Sequence, residues 1–182
     1  MYRLFSSTAI WYEEGDHLGF VMAFASLLPV LLVVAECVLA FATDDRFMFM
    51  HLFIGQLLNE AVNQILKDTL KIARPLNGPP TSHPFNMAQT NTVDYGMPSS
   101  HGQFVGFFLG VWGLDGIRIP NGLVSKLPVF LLTWLAWVGG SVICVSRWYL
   151  RYHSSDQIIV GFLLGLALGY GWRHTRRLFK IV

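Results

Sequence analysis

Five apolar stretches, each close to the ~20 residues that a helix needs to cross a bilayer core, dominate this 182-residue chain. They run over 18–42 (interrupted by Pro29 and Glu36), 47–66, 100–119, 127–145 and 154–172. Backbone polar groups find no water in hydrocarbon, so segments of this length satisfy them internally as helices. The expected fold is therefore an all-α, polytopic membrane bundle of about five transmembrane helices, forming a single domain over 1–182. Composition agrees, because 53% hydrophobic and 13% charged residues cannot coat a soluble domain of this size. The residues before the first stretch mix Arg3, Glu13, Glu14 and Asp16 with aromatics. They lack the apolar centre of a cleavable signal peptide, so the first stretch is expected to act as an uncleaved anchor.

A net charge of +2 gives nucleic acid no electrostatic footprint. Cys37 and Cys144 lie inside apolar stretches, which argues against a disulfide framework and against Cys/His metal spacing. Between the second and third stretches, loop 72–98 carries prolines at 75, 79, 80, 84 and 98. A polar loop of that length in a compact membrane protein is more often functional than passive, and both readings stand. Glycine recurs every fourth residue at Gly102, Gly106 and Gly110, and again at Gly161, Gly165 and Gly169. That spacing puts each set on one helix face, where backbones can approach closely. If the two faces meet, they hold together the helix ends that bear His101 and His153.

Polar residues inside a membrane are costly and mark function by default. Here they gather. Asn59, Asn63 and Lys67 form one stripe at i, i+4 and i+8, and Arg74 follows shortly. Ser99, Ser100 and His101 open the third stretch, Ser146 and Arg147 close the fourth, and His153 precedes the fifth. With five spans, all of these helix ends lie on one membrane face. Three cations, two imidazoles and hydroxyl donors describe an anion site, in which the arginine fork suits phosphate oxygens and lysine adds a point charge. Two histidines allow one nucleophile and one acid. With no carboxylate cluster, no metal or other cofactor is expected, and Lys67, Arg74 and Arg147 would neutralise the phosphoryl charge.

The patterns Lys67-x6-Arg74-Pro75, Pro98-Ser99-Ser100-His101 and Ser146-Arg147-x5-His153 resemble the three motifs of the type 2 phosphatidic acid phosphatase superfamily, which is related to the vanadium haloperoxidases. Three ordered motifs over residues 67 to 157 are far more specific than any one alone. Within that superfamily the chain is similar to the dolichyldiphosphatase family from about residue 12 to 172. The similar stretches include Gly15-Asp16-His17-Leu18-Gly19, Ser26-Leu27-Leu28-Pro29, Leu58-Asn59-Glu60-Ala61-Val62-Asn63 and Tyr95-Gly96-Met97-Pro98. The resemblance implies that Lys67, Arg74, Ser99 and Arg147 bind the phosphoryl group. It implies that His153 attacks the terminal phosphorus and that His101 protonates the leaving lipid phosphate and then activates water. Its implied substrate is dolichyl diphosphate, hydrolysed in the endoplasmic reticulum membrane to recycle the lipid carrier of protein N-glycosylation. Gln157, Ser100, Asn63 and Glu60 are supporting candidates; Asn59 and Glu60 serve equally well as packing contacts.

The superfamily usually carries an aspartate four residues after the nucleophilic histidine, to orient it. This chain has Gln157 there, and Asp156 one place earlier. One residue is ~100° around a helix, so Asp156 is expected to point away. The glutamine carbonyl can accept the imidazole N–H, but brings no charge. Asp156 remains the alternative orienter.

His51, His83 and His174 read as residues tolerated at the membrane interface, and Lys71 and Arg151 as lipid-headgroup contacts. Trp11, Tyr12, Trp148 and Tyr149 belong near the active face. The opposite face carries Arg46, Arg118, Lys126, Arg173, Arg176, Arg177 and Lys180. The positive-inside rule then puts the C-terminus in the cytosol and the active site in the lumen. Two other readings compete: a phosphatase for another lipid phosphate or polyprenyl diphosphate, and a non-catalytic membrane protein such as an anion carrier. The second has no use for paired histidines beside three phosphate ligands. The haloperoxidases are soluble, which disfavours that activity here.

Overall fold

The computed structural model describes residues 2–5, 10–42, 46–79, 95–113 and 127–176. Among the described residues six helices make the bundle: α1 (His17–Ala25), α2 (Leu28–Ala42), α3 (Arg46–Leu70), α4 (Ser100–Phe108), α5 (Val129–Tyr149) and α6 (Ser155–His174). α4 runs on as a π-helical turn, Leu109–Gly113. Ahead of them β1 (Tyr2–Phe5) pairs antiparallel with β2 (Ile10–Glu13), a hairpin that the hydropathy pattern does not announce. The β-branched and aromatic run Ile10-Trp11-Tyr12 suits such a strand.

The all-α bundle of five spans is present, with one span broken. Pro29 has no N–H to offer the Ala25 carbonyl, and its ring crowds the preceding turn. The first stretch therefore parts at Ser26 and Leu27 into α1, which packs on α5, and α2, which leans on α3. Among the described residues, His17–Ala42 and Val129–Tyr149 are long and apolar enough to cross a membrane by composition alone. α3 is equally long, but it carries a polar stripe facing inward.

The distribution of polarity is the reverse of a soluble protein's. Val30, Leu31, Val34, Val38 and Phe41 of α2 and Phe130 and Trp134 of α5 face outward, while Asn63, Gln103, Ser99 and Ser146 are fully enclosed. Such a surface belongs in lipid. α4 lies at the centre, with its residues Gln103, Val105 and Phe107 all buried.

The two glycine stripes face each other along α4 and α6. A Cβ at Gly102 would lie 2.8 Å from the Ile158 carbonyl, and one at Gly110 would lie 2.5 Å from the Leu166 carbonyl. From the other side, a Cβ at Gly161 would meet the Ser99 carbonyl at 2.5 Å, and those at Gly165 and Gly169 would collide with backbone of Gln103 and Phe107. Lipid tails are as apolar as leucine, so close backbone approach is what joins these helices. It seats the start of α6 against the start of α4, where Ser99 N donates to the Gln157 carbonyl at 3.0 Å.

Candidate active site

The C-terminal end of α3, the N-terminal end of α4, the C-terminal end of α5 and the N-terminal end of α6 meet on one face. The α3 stripe is longer than its three expected members, because Gln56 joins Asn59, Asn63 and Lys67 in being buried. It faces α4 through a directed chain of hydrogen bonds. Lys67 Nζ donates to Ser100 Oγ at 2.8 Å, and that hydroxyl donates to Asn63 Oδ1 at 2.8 Å. Asn63 Nδ2 donates to Gln103 Oε1 at 2.7 Å, and Gln103 Nε2 to Asn59 Oδ1 at 2.9 Å. Every amide is thereby oriented by its neighbours. Ser99, the N-cap of α4, accepts from Gly102 N at 3.3 Å and leaves the helix N-terminus aimed at the site.

Both ends of loop 72–98 are tied beneath the cluster, although residues 80–94 lie outside the described residues. Ala73 and Tyr95 form an antiparallel bridge, and Gly96 N donates to the Ile72 carbonyl at 2.7 Å. This delivers Arg74, whose Nη1 donates to the Tyr152 carbonyl at 3.1 Å and lies 3.2 Å from His153 Nε2. A guanidinium has no lone pair to offer, so His153 Nε2 is the acceptor in that contact. On the far side of the ring, His153 Nδ1 lies 3.2 Å from Gln157 Oε1. That oxygen also accepts from Ser154 N at 3.3 Å, while Gln157 Nε2 donates to the Ala73 carbonyl at 2.8 Å. The amide cannot be reversed without losing these bonds. Nδ1 of His153 therefore carries the proton, and Nε2 presents its lone pair to the cations. Burial first, then the charges of Arg74 and Arg147, then His101, hold this imidazole neutral well below the usual histidine range, against the opposing hydrogen bond from Gln157.

Arg147 is buried at the end of α5. Its Nη1 donates to Ser26 Oγ at 3.2 Å, and its guanidinium lies over the Tyr152 ring, 3.9 Å from the centroid. Ser26 stands at the break between α1 and α2. Its hydroxyl pairs with Ser146 Oγ at 2.9 Å, and its carbonyl lies 3.0 Å from His101 Nε2. A carbonyl only accepts, so His101 carries a proton on Nε2 and turns Nδ1 the other way. Arg147, Lys67 and Arg74 all lie within electrostatic range of His101.

The structure thus brings together Lys67, Arg74, Ser99, Ser100, His101, Arg147, His153, Gln157 and Asn63. Glu60 stands apart: it is exposed on the outer face of α3, where its carboxylate accepts from Gln64. Glu60 is one residue past Asn59, about 100° around the helix from the Asn59–Asn63 stripe, so it is corrected from a supporting residue to a surface one. Asp156 is exposed too, its carboxylate bonded to Ser154. Arg151 is exposed 3.8 Å from Glu13, and Lys71 is exposed. His51 stacks on Trp172 and lies 2.8 Å from Thr175 Oγ1 at the opposite end of the bundle; His83 lies outside the described residues. Tyr12, Trp148 and Tyr149 flank a surface pocket of ≈ 430 Å³ beside the site.

Three participants escaped the sequence reading. Gln103 is a polar residue deep in an apolar stretch, a signal that was present. Ser26 entered only as part of a similar stretch, with no role attached, because what it and Tyr152 do comes from a carbonyl, a helix break and a ring lying against a charge.

The family model of the PAP2 superfamily matches residues 49–180, which contain all three motifs. The chain belongs to the PAP2 superfamily. It is 30% identical to "Dolichyldiphosphatase 1" of Dictyostelium discoideum over 91% of its own length and 68% of that protein. It is 32% identical to "Dolichyldiphosphatase" of Saccharomyces cerevisiae, again over 91% of its length and 66% of that protein. It therefore spans about two thirds of these relatives. The transmembrane PAP2-type phosphatidylglycerolphosphate phosphatase of Bacillus subtilis shares the fold, with a TM-score of 0.68 and 20% identity over 92% of this chain and 80% of that one. This PAP2-superfamily chain is a membrane phosphatase, built on the bundle expected from its apolar stretches.

Proposed function

We propose that this PAP2-superfamily protein hydrolyses dolichyl diphosphate to dolichyl phosphate and inorganic phosphate through a phosphohistidine on His153. The observation that carries the mechanism is the pair of contacts on one imidazole: Nδ1 on Gln157, and Nε2 facing Arg74 with its lone pair. The terminal phosphoryl group binds among Arg74, Arg147 and Lys67 and at the N-terminus of α4, and its oxygens take over the Arg74 bond that Nε2 now accepts. Nε2 attacks phosphorus as the bond to the bridging oxygen breaks. His101 keeps Nε2–H on the Ser26 carbonyl, so it donates as an imidazolium: the anionic diphosphate offsets the surrounding cations, Nδ1 is protonated as well, and that proton passes to the departing lipid phosphate. Nδ1 then takes a proton from water, whose oxygen attacks the phosphorus. The N–P bond breaks, inorganic phosphate leaves, and Nε2 recovers its lone pair. Fixed cations supply the transition-state stabilisation that metal ions give elsewhere, so no cofactor is called for.

The names of the relatives support the dolichyl substrate. The cationic tail supports a cytosolic C-terminus and a lumenal site in the endoplasmic reticulum, where dolichyl diphosphate left by glycan transfer would be recycled. A phosphatase for another lipid phosphate is the second reading, favoured by the fact that the site's cations all address the phosphoryl group and none addresses the tail. The test is phosphate release from dolichyl diphosphate by purified protein in detergent with chelator present, for wild type and His153→Ala. Release by wild type alone is expected. No release from folded wild type overturns the dolichyl assignment, and equal release from both overturns the nucleophile.

A further inference from the structure

The helix break at Ser26 and Leu27 opens a groove in the membrane-facing wall. α1 packs on α5, but beyond the break α2 turns onto α3, so α2 and α5 part. Between them lies an apolar channel of ≈ 300 Å³ floored by α4. Its mouth adjoins the site: Leu28 follows Ser26 by two residues, Phe104 stands one turn beyond His101, and Ile143 offers the carbonyl that Ser146 Oγ bonds at 2.6 Å. Lower down it runs between Leu32 of α2 and Leu135 of α5.

Two adjacent glycines shape the α5 wall in different ways. A Cβ at Gly140 would lie 2.6 Å from Val105 Cγ1, so its absence lets α5 close on α4. A Cβ at Gly139 would meet nothing within 4 Å, so its absence serves no packing and leaves the channel wide. Gly139 is eight residues below Arg147, a drop of about 12 Å along the helix.

We infer that this groove takes the proximal isoprenoid tail of the substrate, and that Gly139 sets the bulk it admits. The inference rests on the lipid-phosphatase reading above. A headgroup held among Arg147, Arg74 and Lys67 must send its tail out of the bundle. α4 is bonded to α3 and sealed on α6 by the glycine stripes, and the parting of α2 from α5 carries an apolar channel whose mouth adjoins the site. Bulk lipid is as apolar as the groove, so the selection is steric and positional rather than hydrophobic.

The test compares a long-chain polyprenyl diphosphate with dimethylallyl diphosphate, whose single isoprene unit is shorter than the drop to Gly139. Gly139→Phe and, from the opposite wall, Leu32→Trp are each expected to lower kcat/KM for the long substrate by about tenfold more than for the short one. Val138→Phe, next in sequence but outside the groove, is expected to leave that ratio at the wild-type value. Equal effects on both substrates, no effect, or the same shift in Val138→Phe overturns the groove. A folded wild type inactive on the long substrate removes instead the phosphatase reading beneath it.

Discussion

Gln157 Oε1 lies 3.2 Å from His153 Nδ1 and fixes which nitrogen of the imidazole is free. The glutamine is itself clamped, by Ser154 N and by the Ala73 carbonyl, so its amide is fixed with the oxygen toward the imidazole. Gln157→Ala is expected to lower kcat by roughly 10–100-fold, the usual cost of removing such a partner. Asp156→Ala is expected to stay near wild type, because that carboxylate is exposed. Steady-state phosphate release decides between them, and loss in the aspartate variant alone reverses the assignment.

Gly96 makes room for that amide, since a Cβ there would lie 2.6 Å from Gln157 Oε1 and Nε2. Gly96→Ala should therefore reproduce the kcat loss of Gln157→Ala while the purified protein keeps its helical circular dichroism. Full activity in this variant contradicts the coupling.

Arg147 lies over the Tyr152 ring, 3.9 Å from its centroid, and is bonded to Ser26. A lysine ammonium can neither stack in that way nor present a planar fork. Arg147→Lys is expected to lose about 10²–10³ in kcat/KM, the scale of a lost transition-state donor. Tyr152→Phe keeps the ring and should stay within a few-fold of wild type, whereas Tyr152→Leu should fall toward Arg147→Lys. Activity of Tyr152→Leu equal to that of Tyr152→Phe shows that the ring does not position Arg147.

The free enzyme should show His153 neutral at pH 7 and titrating well below the ordinary value of 6.5. Histidine-selective ¹⁵N spectra of wild type against His153→Gln read this directly, with Nδ1 as the protonated nitrogen. The sign for stability follows from the same direction. Between the depressed folded value and 6.5 the unfolded chain binds a proton that the folded one refuses, so stability falls as pH drops below about 6.5 and is fully present above it. A His153 that titrates at or above 6.5 overturns this electrostatic picture.

Gln103 receives from Asn63 and donates to Asn59 inside the bundle. Gln103→Leu removes the donor to the buried Asn59 Oδ1 and leaves Asn63 Nδ2 with only the Pro98 carbonyl at 3.3 Å, at a cost of about 1–3 kcal/mol. A lower thermal midpoint in detergent is expected, and an unchanged midpoint would show that the ladder adds no stability.

The bundle was legible in the sequence because hydrocarbon permits so few backbone solutions: five apolar stretches leave little besides helices, and their alternating direction brings the motif ends to one face. The facing glycine stripes were legible for a related reason, since a repeat of four marks one helix face. Side-chain spacing also separated Gln157 from Asp156, because adjacent residues on a helix point about 100° apart. What local pattern does not contain is where the chain departs from a regular helix and what then comes near it. Pro29 signals a break, but only the packed structure turns the Ser26 carbonyl toward His101 and its hydroxyl toward Arg147. Glu60 read equally well as a supporting residue or a packing contact, and which of its faces α3 turns to α4 leaves it exposed, about 100° from Asn59. The protonated nitrogen of His153, the ring beneath Arg147 and the gap between α2 and α5 depend on residues far apart in the chain, such as Ser26 and Arg147, brought within a few ångströms, and tertiary packing alone fixes such distances.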